Sequence, residues 1–329
     1  MLASGVAFAT MVWRTMHRLT TLGDLALFVQ AFLQGQQFVR TLLGSAGQIY
    51  HNTLFLGDIF EFLALEPKLI APPSPKPVPA LRHEISFHNV TFRYPDSDMP
   101  ALREFNLALP AGQIVAIVGR NGSGKSTLVK LLCRFYDPSE GRIEWDGADL
   151  REFAPEELRR QISAMFQEPV RYHATVAENI AFSSGTGVSP VRASGATEKT
   201  GETPVPLRVE AAAVAAGADA IAQRLGYDRQ LGREFEGGAE LSAGEWQRLA
   251  LARAFAREAP LLLLDEATSA MDSWAEAEWL RRLRAVAAGK TVVIISHRFT
   301  TAMQADVIHV MDAGRIIESG THAQLVKQG

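Results

Sequence analysis

The sequence predicts an α/β fold, and three stretches carry that prediction. Ile114-Val115-Ala116-Ile117-Val118 is apolar like a buried strand, a glycine-rich loop follows at 119–127, and Leu128-Val129-Lys130-Leu131-Leu132 reads as the first turns of a helix. Leu261-Leu262-Leu263-Leu264 is a second apolar run and ends in Asp265-Glu266. Thr291-Val292-Val293-Ile294-Ile295 is a third and ends in Ser296-His297. Apolar runs of this length suit parallel strands buried on both faces, and ligands of open α/β folds gather at the carboxyl ends of such strands.

The loop Gly119-Arg120-Asn121-Gly122-Ser123-Gly124-Lys125-Ser126-Thr127 fits Gly-x-x-x-x-Gly-Lys-[Ser/Thr] in full. Its strand-before, helix-after setting is the one the pattern requires. Glycines permit backbone angles that turn successive N–H groups toward an anion, and the helix N-terminus adds partial positive charge. All nine loop residues are therefore candidates for holding a nucleoside triphosphate. Lys125 would reach the β- and γ-phosphates, and the Ser126 hydroxyl would ligate Mg²⁺. Asp265 would hold the same cation through water, while Glu266 would orient or deprotonate an attacking water. Two adjacent acids could instead be a strand end meeting solvent, but the phosphate loop earlier in the chain argues against that. His297 can donate a hydrogen bond to a γ-phosphate or to the attacking water, although a lone histidine at a strand end is usually incidental.

Composition narrows the classes. Of 329 residues, 47% are hydrophobic and 21% charged, as in ordinary globular proteins. A net charge of −3 offers no electrostatic case for nucleic acid. The single cysteine, Cys133, leaves no disulfide framework or cysteine metal site.

Taken in order, residues 1–66 differ from the rest. Met1 to Trp13 is apolar but lacks a basic start, so it makes a poor signal peptide, and it is short for a membrane span of about 20 residues. A helix is expected at 22–43, capped by Thr21 or Asp24, with Gln30, Gln34, Gln37 and Thr41 on one face. It reads either as a span lining a water-filled path or as an amphipathic helix packed on a soluble domain. A further helix is expected at 57–65, and the proline-rich 67–82 reads as a linker. Strands are expected at 85–92 and 106–109, with Tyr94 just beyond the first; an aromatic there could stack on adenine or simply be a turn residue. Residues 183–206 lack apolar periodicity and read as a disordered insertion. An alanine-rich helix follows at 209–225, and a closing hairpin surrounds Asp312-Ala313-Gly314-Arg315.

In order, the chain carries Tyr94, the 119–127 loop, Phe166-Gln167-Glu168, Leu241-Ser242-Ala243-Gly244-Glu245, Leu261–Glu266, Ser269-Ala270-Met271-Asp272 and His297. Over 83–329 this series resembles the nucleotide-binding domain of an ABC transporter. Residues 1–66 more weakly resemble the end of the transmembrane domain of an exporter-type half-transporter, which favours the membrane reading of 22–43. The resemblance implies a P-loop NTPase of ABC type. It has a mixed central sheet with flanking helices, an antiparallel β subdomain and a helical subdomain, preceded by an α-helical transmembrane remnant.

The resemblance also implies roles. Tyr94 stacks on adenine, and Gln167 senses Mg²⁺ and the γ-phosphate. Ser242 and Gly244 clasp the ATP held by an opposite ABC domain, and Asp272 lies at that dimer interface. Glu266 and His297 act on the attacking water and γ-phosphate, with Lys125 and Gln167 as further catalytic groups. Ser126, Gln167 and Asp265 form the Mg²⁺ set. The expected function is ATP hydrolysis coupled to transport at the cell inner membrane, with the ATP-binding domain on the cytoplasmic side. The expected partners are a second ABC domain and an exporter transmembrane domain. A soluble non-transport ABC ATPase, or a degenerate regulatory half of a heterodimer, is the alternative.

Two departures stand out. The family's signature is Leu-Ser-Gly-Gly-Gln, whereas this chain has Ala243 and Glu245. Glu245 could repel ATP, or it could turn back onto the Ser242 N–H as a capping box, which is the favoured reading. An exporter half also carries a full set of spans before this domain, and at most one and a piece precede it here. The chain is therefore expected to be a fragment, a truncated gene product or a remnant.

Overall fold

A computed structural model describes residues 2–17, 19–67, 69–182, 207–269, 271 and 273–328. The insertion expected at 183–206 and Asp272, expected at a dimer interface, lie outside the described residues. The chain divides into two compact units, Met1–Lys68 and Leu69–Gly329.

In the first unit, α1 (Leu2–Met16) meets α2 (Leu22–Leu63) through Phe8, whose ring lies edge-on to Phe28 at 5.7 Å and Phe32 at 5.1 Å. Thr21 caps α2. Its hydroxyl accepts from the Asp24 N–H at 3.2 Å, and the Asp24 carboxylate accepts from the Thr21 N–H at 2.9 Å. The helices expected at 22–43 and 57–65 are one continuous helix, since 44–56 contains no proline to break it. No described helix is long and apolar enough to cross a membrane. The span expected at 22–43 fails that standard because Gln30, Gln34, Gln36, Gln37 and Arg40 interrupt its apolar residues.

The second unit begins with β1 (Glu84–Phe92), β2 (Leu102–Pro110), β3 (Ile114–Gly119), α3 (Lys125–Leu132), β4 (Glu140–Trp145), β5 (Ala148–Asp149), α4 (Pro155–Arg160) and β6 (Ile162–Met165). It continues with α5 (Val176–Ala181), α6 (Leu207–Ala216), α7 (Asp219–Leu225), α8 (Ala243–Ala256), β7 (Leu261–Asp265), α9 (Ser273–Val286), β8 (Thr291–Ile295) and α10 (Phe299–Ala302). β9 (Val307–Asp312), β10 (Arg315–Gly320) and α11 (His322–Gln328) close it. The central sheet has the order β10-β9-β3-β8-β7-β6. Its strands are parallel except β10, which pairs antiparallel with β9 at the edge. A separate antiparallel sheet has the order β2-β1-β4-β5.

Successive side chains of a strand point to opposite faces, and that divides the interior into two cores. Ile114, Ala116, Leu262, Leu264, Val292 and Ile294 pack against α5, α6, α8 and α9. Val115, Ile117, Leu261, Leu263, Val293 and Ile295 pack against α3 and the antiparallel sheet. Both faces of β3, β7 and β8 are thus covered, which is why these strands contain almost nothing polar.

The expected 209–225 helix is two helices. Gly217 takes φ 69°, its N–H donates to Val214 O at 3.1 Å, and the Ala218 N–H donates to Ala213 O at 2.8 Å. This pair of bonds is the glycine-ended helix stop, and periodicity alone does not reveal it. Part of the proline-rich stretch lies along the second unit: the Trp145 indole donates to Pro79 O at 3.0 Å and the Lys76 N–H to Glu152 O at 2.9 Å.

Candidate active site

The carboxyl ends of β3, β7 and β8 converge because these strands are in-register neighbours. A cavity of about 640 Å³ opens there, lined by Tyr94, Ala101, Gly119, Arg120, Asn121, Gly122, Gly124, Lys125, Ser126, Thr127, Gln167, Glu266 and His297. Every lining residue except Ala101 is expected from the sequence. Ser123 and Asp265 are buried just outside it, and Ser242 and Gly244 do not line it.

The loop is held tightly on the end of β9. A Cβ at Gly119 would lie 2.1 Å from Met311 O, and one at Gly124 would lie 2.8 Å from Ala101 O. Gly124 also takes φ 104°, so both positions demand glycine. Gly124 stands at the N-cap of α3 and contributes no side-chain cap, so donors at this helix end have no side chain of their own to satisfy them. Lys125 Nζ donates to Gly119 O and to Arg120 O, each at 2.8 Å. Burial lowers its pKa, and nearby Glu266 and Asp265 oppose that shift. Tyr94 keeps its hydroxyl 3.1 Å from Thr127 Oγ1, and Lys130 Nζ sits 5.0 Å over its ring.

Opposite the loop, Glu266 follows the last residue of β7 in a left-handed backbone conformation, φ 50°. Such a conformation costs a non-glycine residue about 1–2 kcal/mol. The surroundings hold it there. The Glu266 N–H donates to Ile295 O at 2.9 Å, and Gln247 Nε2 donates to Glu266 O at 3.1 Å. Its carboxylate accepts from Gln167 Nε2 at 3.0 Å and lies 3.5 Å from His297 Nδ1.

The residues fit a hard divalent cation. Asp265 Oδ1 is buried with no hydrogen-bond partner. Burial raises the Asp265 pKa, and a hydrogen bond from Ser126 only partly opposes this. With the Gln167 nitrogen on Glu266, its amide oxygen is the end left for a cation. A hydroxyl, a carboxylate and an amide oxygen suit Mg²⁺, which takes one or two carboxylates and completes its shell with phosphate oxygens and water. Among the described residues there is no group of three or more His, Cys, Asp and Glu that could hold a metal.

Elsewhere, Ser242 caps α8. Its N–H and hydroxyl donate to Glu245 Oε2 at 2.8 and 2.9 Å, and the Glu245 N–H donates back to Ser242 Oγ at 3.3 Å. The capping reading of Glu245 therefore describes the structure. Gln247, Arg298 and Arg224 carry no motif signal, and the sequence reading passed over them. Arg298 Nη1 donates to Met271 O at 3.0 Å and to Glu276 at 2.9 Å, bracing the loop after Glu266.

A model of the ABC transporter family matches residues 102–269, just over half the chain. The chain is 39% identical over 310 residues to an ATP-dependent lipid A-core flippase of Alkalilimnicola ehrlichii, covering 92% of this chain and 48% of that one. It is 35% identical over 307 residues to the subtilin transport ATP-binding protein SpaT of Bacillus subtilis, covering 93% of this chain and 47% of that one. The solved structure of a bacterial Atm1-family ABC exporter with ATP bound superposes with a TM-score of 0.71 at 35% identity, over 94% of this chain and 51% of that one. The chain thus spans about half the length of these relatives. The chain belongs to the ABC transporter family.

Proposed function

We propose that this chain drives an exporter in the cell inner membrane. Residues 83–329 face the cytoplasm, and 1–66 form the end of the transmembrane domain. Exposed Leu27, Leu33, Phe38, Leu42, Phe55 and Phe60 on α2 need cover from neighbouring helices of that domain. The relatives are named for lipid A-core and subtilin, both carried by fuller-length proteins; cargo choice here belongs to the membrane helices rather than to 83–329.

One observation carries the reading. The cavity gathers the phosphate loop, Gln167, Glu266 and His297 of a single chain, while Ser242 and Gly244 lie outside it. A second ABC domain placed head to tail supplies those two residues to the γ-phosphate, so two ATP molecules lie between two domains.

Within each site Lys125 exchanges its two backbone carbonyls for phosphate oxygens, and Tyr94 offers its ring to adenine. The Ser126 hydroxyl, Asp265 and the Gln167 amide oxygen would hold Mg²⁺, which would supply charge neutralisation on the phosphates. Glu266 positions a water and takes its proton as the oxygen bonds to the γ-phosphorus. The bond from that phosphorus to the bridging oxygen breaks, and ADP and phosphate leave. His297 donates toward the γ-phosphate and steadies it. Glu266→Gln keeps the hydrogen bonds but not the base, so ATP binding persists while turnover falls about 10²–10⁴-fold. Steady-state hydrolysis at the unmodified rate would overturn the role of Glu266.

A further inference from the structure

We infer that Arg224 is a positioning residue for the α8 end of the ATP site, making a carboxylate tolerable where the family has a neutral amide. The inference rests on the proposed docking of Ser242 against a partner's ATP.

Residues 233–245 contain Glu234, Glu236, Glu240 and Glu245 against the single base Arg233. Arg233 Nε lies 3.4 Å from Glu240 Oε2 and is thereby occupied. A segment this acidic is a poor place to receive a triphosphate, and Glu245 is its worst member. One oxygen of Glu245 is bound to both the N–H and the hydroxyl of Ser242. The other oxygen pairs with Arg224 Nη2, which reaches it from α7, outside the acidic segment.

The pairing has two consequences. Arg224 cancels the charge of Glu245, so the N-terminus of α8 keeps its attraction for an anion. It also gives the carboxylate a second place to rest when the Ser242 hydroxyl turns to a phosphate oxygen. The ion pair is not there chiefly for stability. The Arg224 side chain is 53% exposed, and exposed pairs contribute little to folding.

The test is a double-mutant cycle in the full chain assembled with its ABC partner, reading KM for ATP, kcat and thermal unfolding. Arg224→Ala should raise KM about tenfold, the effect of one uncompensated charge at a helix end, with kcat and unfolding little changed. Arg224→Lys should keep most of the affinity. In a Glu245→Gln background, Arg224→Ala should add nothing, because no charge remains to cancel. An equal KM penalty in both backgrounds, or a loss read only in thermal unfolding, overturns the inference and leaves the docking of Ser242 untouched. A Ser242→Ala protein with unchanged KM and kcat would instead remove the docking reading, and this inference with it.

Discussion

Helices α3 and α8 both begin where an anion is expected, yet they begin in opposite ways. α3 starts after Gly124, which has no side chain to cap it. α8 starts after Ser242 and closes its own end with a complete capping box. The difference follows burial. Six of the eight residues of α3 are buried, so packing holds the helix and its end can be left open for a ligand. Ser242 and Ala243 are exposed, and there the chain satisfies its own donors until something else does. A helix end that always meets its ligand within its own chain can stay uncapped, whereas one awaiting a partner's ligand benefits from a cap that can be given up.

The sharpest way to separate the two ends is Lys125→Ala. Charge-assisted hydrogen bonds contribute about 1.5–3 kcal/mol each, so Kd for ATP should rise about ten- to a hundredfold, while unfolding without nucleotide falls separately through loss of the bonds from Lys125 to Gly119 O and Arg120 O. Isothermal titration together with a melting curve reads both. Unchanged ATP affinity would mean that α3 does not receive the phosphates.

A mixing experiment reaches the partner side. Lys125→Ala and Ser242→Ala proteins should each form dimers in which both sites are damaged. A dimer with one chain of each kind contains one intact site, so mixing should recover part of the trapped nucleotide. No recovery at any ratio would count against the head-to-tail arrangement.

The smallest effect belongs to Ser242→Ala in the absence of ATP. Losing the cap should cost about 1 kcal/mol, a fall in Tm of about 2–4 °C for a domain of this size. Lys125→Ala removes two hydrogen bonds made without ATP, so its apo-state fall should be the larger of the two, and no fall at all for Ser242→Ala would mean that the cap does not hold α8.

Much of the site is legible in local sequence because each part needs a residue type that few other settings tolerate. The loop glycines, Lys125, the acids after Leu264 and the Ser242-x-x-Glu245 spacing are all of this kind. The parts that were missed are held by contacts distant in sequence. β4 pairs with β1 from 49 to 60 residues away. Gln247 reaches Glu266 O across 19 positions, and Arg224 reaches Glu245 across 21. The join between the helices expected at 22–43 and 57–65 was missed for a different reason. The stretch between them contains Gly44 and Gly47, and a helix interior tolerates glycine at about 1 kcal/mol each when the rest of the helix continues through it.

By itself the sequence determined that a triphosphate-binding loop follows a buried strand and opens a helix. It also determined that two further strands end in groups suited to a cation, a water and a γ-phosphate. Those features are local, set by backbone angles and by side-chain chemistry within a few residues. Only the tertiary structure decided that β3, β8 and β7 lie side by side and aim those ends into one cavity. Tertiary packing also left Ser242 outside the cavity and brought Arg224 to the Glu245 carboxylate. Strand order and salt-bridge partners depend on which distant surfaces pack, and no local pattern records that.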